Sequence, residues 1–352
     1  MPLYGRYAAS EMSVEARSPL VGSEATAPGA YEAEGLSGVV ARSPMEQAWR
    51  RFRRDKVALA SGVVIIIMIL IAAFGGPLAE RWVGHGPNDL ITHGVVNFQP
   101  VGPMTTVKDN NQHDTTLWLG ASDLVGRDEF LRLLYGARVS LEVGLLATFF
   151  GLAAGVFFGM LAGYYGGLID TAVSRVTEII MAFPFLLFLI ALSATLGARL
   201  NDITVFGIFS PGVFTLVLVL SIFTWFYPAR IIRSQVLSLR EKEFVEAARM
   251  VGASNFRIMR SHLLPHLVGT IIVYGTITVA INILAESTLS FLGVGLPDPN
   301  ASWGKLLDSA VQYYTIQPWL ILWPGLALLI VTLSFNLLGD GLRDAFDPRA
   351  HL

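Results

Sequence analysis

Most side chains in this 352-residue sequence that could do chemistry are not spaced to do it. His262 and His266 stand four apart, a separation that holds zinc when both rings share one helical face. Pro265 interrupts that turn, however, and no HExxH glutamate or third ligand is near. His85, His93 and His113 share one segment, separated by flexible residues that set no geometry. Gly304-Lys305 lacks both the glycine five residues earlier and the Ser or Thr after the lysine that a phosphate-cradling loop requires. Leu36-Ser37-Gly38-Val39 starts like a nucleotide-hydrolase signature and stops short. The absence of cysteine removes thiolate metal sites, a thiol nucleophile and any disulfide framework. No catalytic residue, metal site or cofactor is therefore assigned. What remains is Asn282 and Glu286 at the end of an apolar stretch, where an ionisable group is a functional candidate by default, and a charged segment, residues 240–265, built around Glu246-Ala247-Ala248.

The elements carrying these residues are set by an apolar chain. It is 53% hydrophobic and 15% charged, against about 25% charged in soluble domains, with a mean hydropathy of +0.56. A net charge of −2 leaves no basic surplus to neutralise a phosphate backbone, so no nucleic-acid partner is expected. A bilayer core about 30 Å thick requires about 20 apolar residues in a helix. Uncharged stretches of that order run over residues 57–79, 143–169, 179–198, 203–229, 267–285 and 309–339, predicting an all-α membrane protein with six transmembrane helices. Pro184 and Pro228 predict kinks in the third and fourth, with the freed carbonyls rescued by neighbouring helices.

Removing these spans leaves 18 of the 25 Lys and Arg in residues 1–56, 170–178, 230–266 and 340–352, and seven in the alternate segments. The asymmetry predicts both termini and the 230–266 segment on the cytoplasmic side. Arg50, Arg51, Arg53, Arg54 and Lys56 before the first span are its strongest determinant, and the apolar run after them is too long for a cleaved signal's core. Residues 1–41, rich in Ala, Gly, Ser, Glu and Pro, read as a disordered cytoplasmic tail, followed by a basic segment with the first helix over 42–79. Residues 80–137 form the one sizeable extracytoplasmic loop. Near its end Phe130, Leu133, Leu134 and Leu141 recur at helical spacing, predicting an amphipathic helix at the interface before span two. The core occupies 138–345 and a short tail 346–352. On span two, Gly151, Gly155 and Gly159 make a small-residue face suited to helix packing.

Span five starting near His266 puts Glu286 about 30 Å along its helix, close to the outer face. Both an interfacial structural role and a contact on an outer gate or substrate path stay open there. Asn282, one turn earlier, faces such a path or a helix partner rather than lipid.

Between spans four and five the charge density rises, and Glu241 to Leu264 reads as helix, glycine break, helix. Glu243 and Glu246 lie early and Arg249 late, which suits a helix starting near Arg240. Phe244, Ala248 and Val251 fall on one face. Ala247 and Ala248 keep the surface low enough for another protein's groove to approach the backbone, and Glu246 offers a carboxylate at its rim. Gly252 is free to take a left-handed turn, and Pro265 is expected to end the second stretch. On periodicity alone, a solvated loop and a docking element are equally supported.

The spacing Glu246-Ala247-Ala248, three residues, Gly252, nine residues, then His262-Leu263-Leu264-Pro265 resembles the EAA loop of binding-protein-dependent ABC importer permeases, which lies between their fourth and fifth helices. His262 departs from the broad pattern in the manner of the dipeptide, oligopeptide and nickel branch. Further stretches are similar to that branch's C-type subunits in the same order. They are Ser43-Pro44, Gly126-Arg127-Asp128, Tyr135 to Leu141, Ala162 to Gly167, Ala182-Phe183-Pro184, Leu289 to Gly293, Ser302-Trp303-Gly304 and Asn336 to Asp344. Ala121-Ser122 and Leu131 depart from the usual Thr and Ser.

The resemblance implies a type I ABC importer permease fold moving peptides, or a related small solute such as nickel, across the cell membrane by alternating access. It implies two cytoplasmic ATPase subunits that bind the ATP, a homologous B-type permease, an extracytoplasmic solute-binding protein, and the lipid bilayer as partners. Glu246, Ala247, Ala248, Gly252, Leu264 and Pro265 would couple the chain to an ATPase, with Asn282 and Glu286 as candidates for the substrate path. The competing class, a channel or secondary transporter working without an ATPase, predicts buried carboxylate pairs or inverted repeats. Neither is found in the sequence.

Overall fold

The computed structural model describes residues 44–109, 112–201, 203 and 210–347. The expected disordered tail over 1–41 and the last residues of the C-terminal tail lie outside the described residues. Helix α1 (Pro44–Phe52) precedes α2 (Lys56–Val83), which starts where Asp55 accepts the N–H groups of Val57 and Ala58 at 2.9 and 3.1 Å. It ends at Gly84, whose φ of +87° stops the helix. Four short strands follow: β1 (Val95–Val96) pairs with β2 (Gln99–Pro100), and β3 (Thr105–Lys108) with β4 (Asp114–Leu117). Both hairpins lie inside the segment 80–137 expected as the extracytoplasmic loop, outside the helices of the all-α core.

Helix α3 (Glu129–Tyr165) is 37 residues, about 55 Å long, well beyond a bilayer's apolar thickness. It absorbs the amphipathic segment expected to lie separately at the interface. Arg132, which lies among the apolar residues of that segment, is 1% exposed and donates to Asn88 Oδ1 and the Pro299 carbonyl at 3.1 Å. Span two ends at Tyr165 rather than residue 169, because Gly166 (φ +68°) and Gly167 (φ +55°) turn the chain.

The expected third span is instead two helices, α4 (Gly167–Ala182) and α5 (Phe185–Leu200), bent by 92° at Phe183-Pro184. Proline pushes the residue before it out of the helical region, and Phe183 is extended. Among the described residues five helices are long and apolar enough to cross a membrane, or six with this bent pair as one span. Helix α6 (Val213–Leu239) carries a break at Trp225, three residues before Pro228. Pro228 has no N–H to give the Thr224 carbonyl, so the ladder opens there.

Helix α7 (Glu243–Met250) follows, then α8 (Asn255–Phe291), α9 (Trp303–Val311) and α10 (Trp319–Phe346). The expected sixth span over 309–339 is divided between α9 and α10. The glycines of α3 meet α6 directly. Cβ atoms placed on Gly151, Gly155, Gly159 and Gly163 would lie 2.6–2.8 Å from Thr224 Cβ and from the carbonyls of Trp225, Ala229 and Arg233. Close backbone approach, without interhelical water-driven attraction, is what binds apolar helices in lipid.

Candidate functional site

Helix α7 begins at Glu243 rather than near Arg240, because Lys242 is extended. Glu246 and Ala247 are exposed, Ala248 is half-buried, and Val245 is the residue driven fully inward. Val245 joins Met160 and Tyr164 of α3, Ile232 and Val236 of α6, and Ile258, Leu263 and Leu267 of α8 in one core cluster. Of the face predicted from Phe244, Ala248 and Val251, only the first two pack. Val251 is 89% exposed beside Met250, so the far end of α7 presents an uncovered apolar tip. Gly252 ends the element with φ +82°, as its position predicted.

Polar contacts strap this element to the span ends. Arg240 Nη1 donates to the Gly163 carbonyl at 3.0 Å, satisfying the end of α3. Arg233 grips Asp170 of α4 with both arms of its guanidinium, the Nη2–Oδ2 contact being 2.7 Å. Tyr164 donates to Asn255 Oδ1 at 2.9 Å, and Arg249 lies over the Tyr164 ring. These residues escaped sequence reasoning. A Lys/Arg count treats Arg233 and Arg240 as topology signals, and nothing in spacing pairs position 170 with 233.

Pro265 does not end the second stretch. The helix runs unbroken from Asn255 to Phe291 by widening into a π turn over Ile258–Leu263, where the Leu264 N–H reaches the Met259 carbonyl. Pro265 then sits exposed at the start of the regular helix, and Leu264 is half-buried against the cluster that holds Val245. His266 hydrogen-bonds the His262 carbonyl through Nδ1 at 2.8 Å and stacks on Phe244, which gives that pair a structural task. Among the described residues no group of three metal-capable side chains comes together.

A groove of about 610 Å³ opens between the breaks in the helices. The Phe183-Pro184 bend, the Trp225 break and one face of α8 enclose it. Phe183, Phe185, Phe223, Phe226, Tyr227 and Tyr274 supply aromatic walls, and Thr224, Thr278 and Asn282 the polar points. No charged residue lines it among the described residues. Asn282 reaches its edge while tied into the core, donating to Thr148 Oγ1 at 2.9 Å and accepting from Thr224 Oγ1 at 3.0 Å. Glu286 lies outside the groove. It is 0% exposed and accepts hydroxyl hydrogen bonds from Ser140 (2.9 Å), Ser290 (2.7 Å) and Ser287 (3.3 Å). Outside the spans, burial raises the Asp128 carboxyl above its usual range, with His85 at 3.5 Å and the N–H groups of Phe130 and Leu131 acting against that rise.

Residues 155–352 match the family described as binding-protein-dependent transport system inner membrane component, and residues 43–94 match the N-terminal transmembrane domain of oligopeptide transport permease C. The chain is 38% identical over 309 residues to the glutathione transport system permease protein GsiD of Shigella dysenteriae serotype 1 (strain Sd197) and of Escherichia coli O157:H7. Those alignments cover 88% of this chain and 91% of each relative. Among solved structures, it is similar to a chain of the inward-facing MetNI methionine ABC transporter at 21% identity and a TM-score of 0.46. That match covers 61% of this chain and 96% of the other.

Proposed function

Because the chain belongs to the family of binding-protein-dependent transport system inner membrane components, and so is the permease subunit of an ATP-driven importer served by ATPase and binding-protein partners, we propose that α7 is its coupling helix. In this reading α7 seats in a groove of one of two cytoplasmic ATPase subunits, with a homologous B-type permease completing the membrane pair. The α7 end and both termini then face the cytoplasm, as the basic-residue asymmetry requires. ATP is bound by the ATPases and not by this chain.

One observation carries the proposal. The exposed Glu246-Ala247 surface stands directly over Val245, whose burial joins it to α3, α6 and α8 at once. A displacement imposed on α7 cannot be absorbed locally, because packed interiors transmit strain, and the Asp170–Arg233 pair passes it on to the bent α4–α5 pair. Rigid-body motion of a two-state element then opens the groove to alternate sides.

The solute class we assign is peptides. Relatives named for glutathione transport support it, as does an uncharged groove whose aromatic faces and hydroxyls suit amide-bearing solutes of varied side chain. Among the described residues the lining offers no His, Asp or Glu to hold nickel. The test is co-purification from membranes followed by reconstitution. An ATPase subunit should be retained and ATP-dependent peptide uptake recovered only with it. Solute flux through this chain alone in liposomes would overturn the proposal.

A further inference from the structure

Alongside the start of α8, ahead of the Tyr274–Asn282 stretch that borders the aromatic groove, α3 and α8 enclose a second trough of about 580 Å³. Phe149, Ala153 and Phe157 of α3 and Met259, Leu264 and Ile271 of α8 form an almost wholly apolar lining. Among the described residues Arg260 is the one charged residue in it. From Phe149 to Leu161 the trough extends about 18 Å along α3 by the helical rise, comparable with the roughly 15 Å of hydrocarbon in one leaflet.

The depth of Arg260 follows from its neighbours. It lies one turn outside Leu264, at the end where α3 closes with Tyr164 and the half-exposed Tyr165, and aromatic residues of that kind mark the headgroup level. Arg260 makes no ion pair among the described residues. Phe149 and Phe157 are left 65% and 58% exposed. The cavity volume spread over its length is narrower than the 10–12 Å of a helix with side chains.

We propose that this trough is a seat for one anionic phospholipid of the leaflet on the α7 side, with an acyl chain along Phe149–Leu161 and the phosphate paired to Arg260. Basic residues at the mouth of apolar clefts between spans recognise such headgroups. The site lies apart from the exposed Glu246-Ala247 face of α7 and from the aromatic groove, sharing only Leu264 with the coupling residues, and rests only on the chain's place in a membrane.

Native mass spectrometry of the purified transporter complex, with phosphatidylglycerol and phosphatidylcholine of equal chain length as probes, tests it. Phosphatidylglycerol should be retained about five-fold better, the effect expected of one basic contact. Arg260→Gln should abolish that preference while leaving phosphatidylcholine bound, and Ala153→Phe, which fills the trough from an exposed position, should weaken both lipids. Arg257→Gln, exposed and outside the lining, serves as the control and should behave as wild type. A photoreactive group at position 157 should label lipid. Equal retention of the two lipids, an unchanged Arg260→Gln preference, or a cross-link from position 157 to another polypeptide would each overturn the proposal. None of these readouts depends on solute transport, so they fail separately from the coupling reading.

Discussion

The phenol of Tyr164, at the last turn of α3, donates a 2.9 Å hydrogen bond to Asn255, the first residue of α8. Two spans 91 positions apart in the chain are thereby pinned at the edge of the coupling element. Tyr164→Phe should keep the chain inserted and lower ATP-dependent uptake about two- to twelve-fold. One ordinary hydrogen bond is worth about 0.5–1.5 kcal/mol, which bounds the effect. Transport in reconstituted vesicles at matched protein content measures it.

Reversing charge on the exposed face of α7 acts on the partner and not on the fold. Glu246→Lys should reduce uptake at least ten-fold with membrane levels unchanged. Gly252→Pro should do the same, because proline locks φ near −65° where the chain needs +82°. A Cβ at Gly252 would meet open space, so Gly252→Ala should cost only the left-handed penalty of about 1–2 kcal/mol. Full uptake in both strong variants would contradict a coupling role.

The chain has no cysteine, so single cysteines report topology directly. Val251→Cys and Phe98→Cys are placed at side chains that are each 89% exposed. In intact cells an impermeant maleimide should label position 98 and leave 251 protected until the membrane is opened. The opposite pattern would invert the orientation drawn from the charge count.

Glu286 tests burial against function. Glu286→Ala leaves three serine hydroxyls without their acceptor in a closed site and should destabilise the purified protein by about 1–3 kcal/mol for each group left unsatisfied. Glu286→Gln keeps an acceptor and should cost less. Melting temperatures of the two variants in one detergent make the comparison.

The glycine ridge should be intolerant in a graded way. Gly155→Val drives a side chain into the Trp225 carbonyl and Pro228, at 2.6 and 2.7 Å, and should cost about 1–3 kcal/mol by forcing α3 from α6. Gly325→Ala meets nothing within 4 Å and should be neutral or slightly stabilising. Thermal unfolding distinguishes the two.

The raised Asp128 carboxyl sets a pH dependence with a definite sign. A folded-state value above the unfolded one means that its stabilising contribution is present below the ordinary carboxylate range and is lost as pH rises through the raised value. Asp128→Asn keeps an acceptor for the N–H groups of Phe130 and Leu131 and cannot ionise. The melting temperature of the variant minus that of the wild type should therefore increase from pH 4 to pH 7. A flat difference would show that His85 offsets the burial entirely.

The membrane class, the number of apolar stretches and the Glu246–Gly252 element were legible from composition and spacing. Each depends on a local property: hydropathy over about 20 residues, or a glycine able to take positive φ where a helix stops. The small-residue ridge of α3 was legible for the same reason, since helical period alone places Gly151, Gly155 and Gly159 on one face.

What spacing could not supply was which distant segments meet. Proline at 184 announced a kink but not a 92° fold, because bend angle depends on what the two halves pack against. Proline at 265 was expected to end a helix and instead rides on a π turn, because Leu263 and Leu267 are both held in the core on either side of it. Glu286 shares the apolar surroundings of a path residue in the sequence, yet three serines from α3 and its own helix enclose it. A sequence records hydropathy and turn chemistry residue by residue. Pairing of side chains more than a hundred positions apart is a property of close packing, and only the tertiary structure decides it.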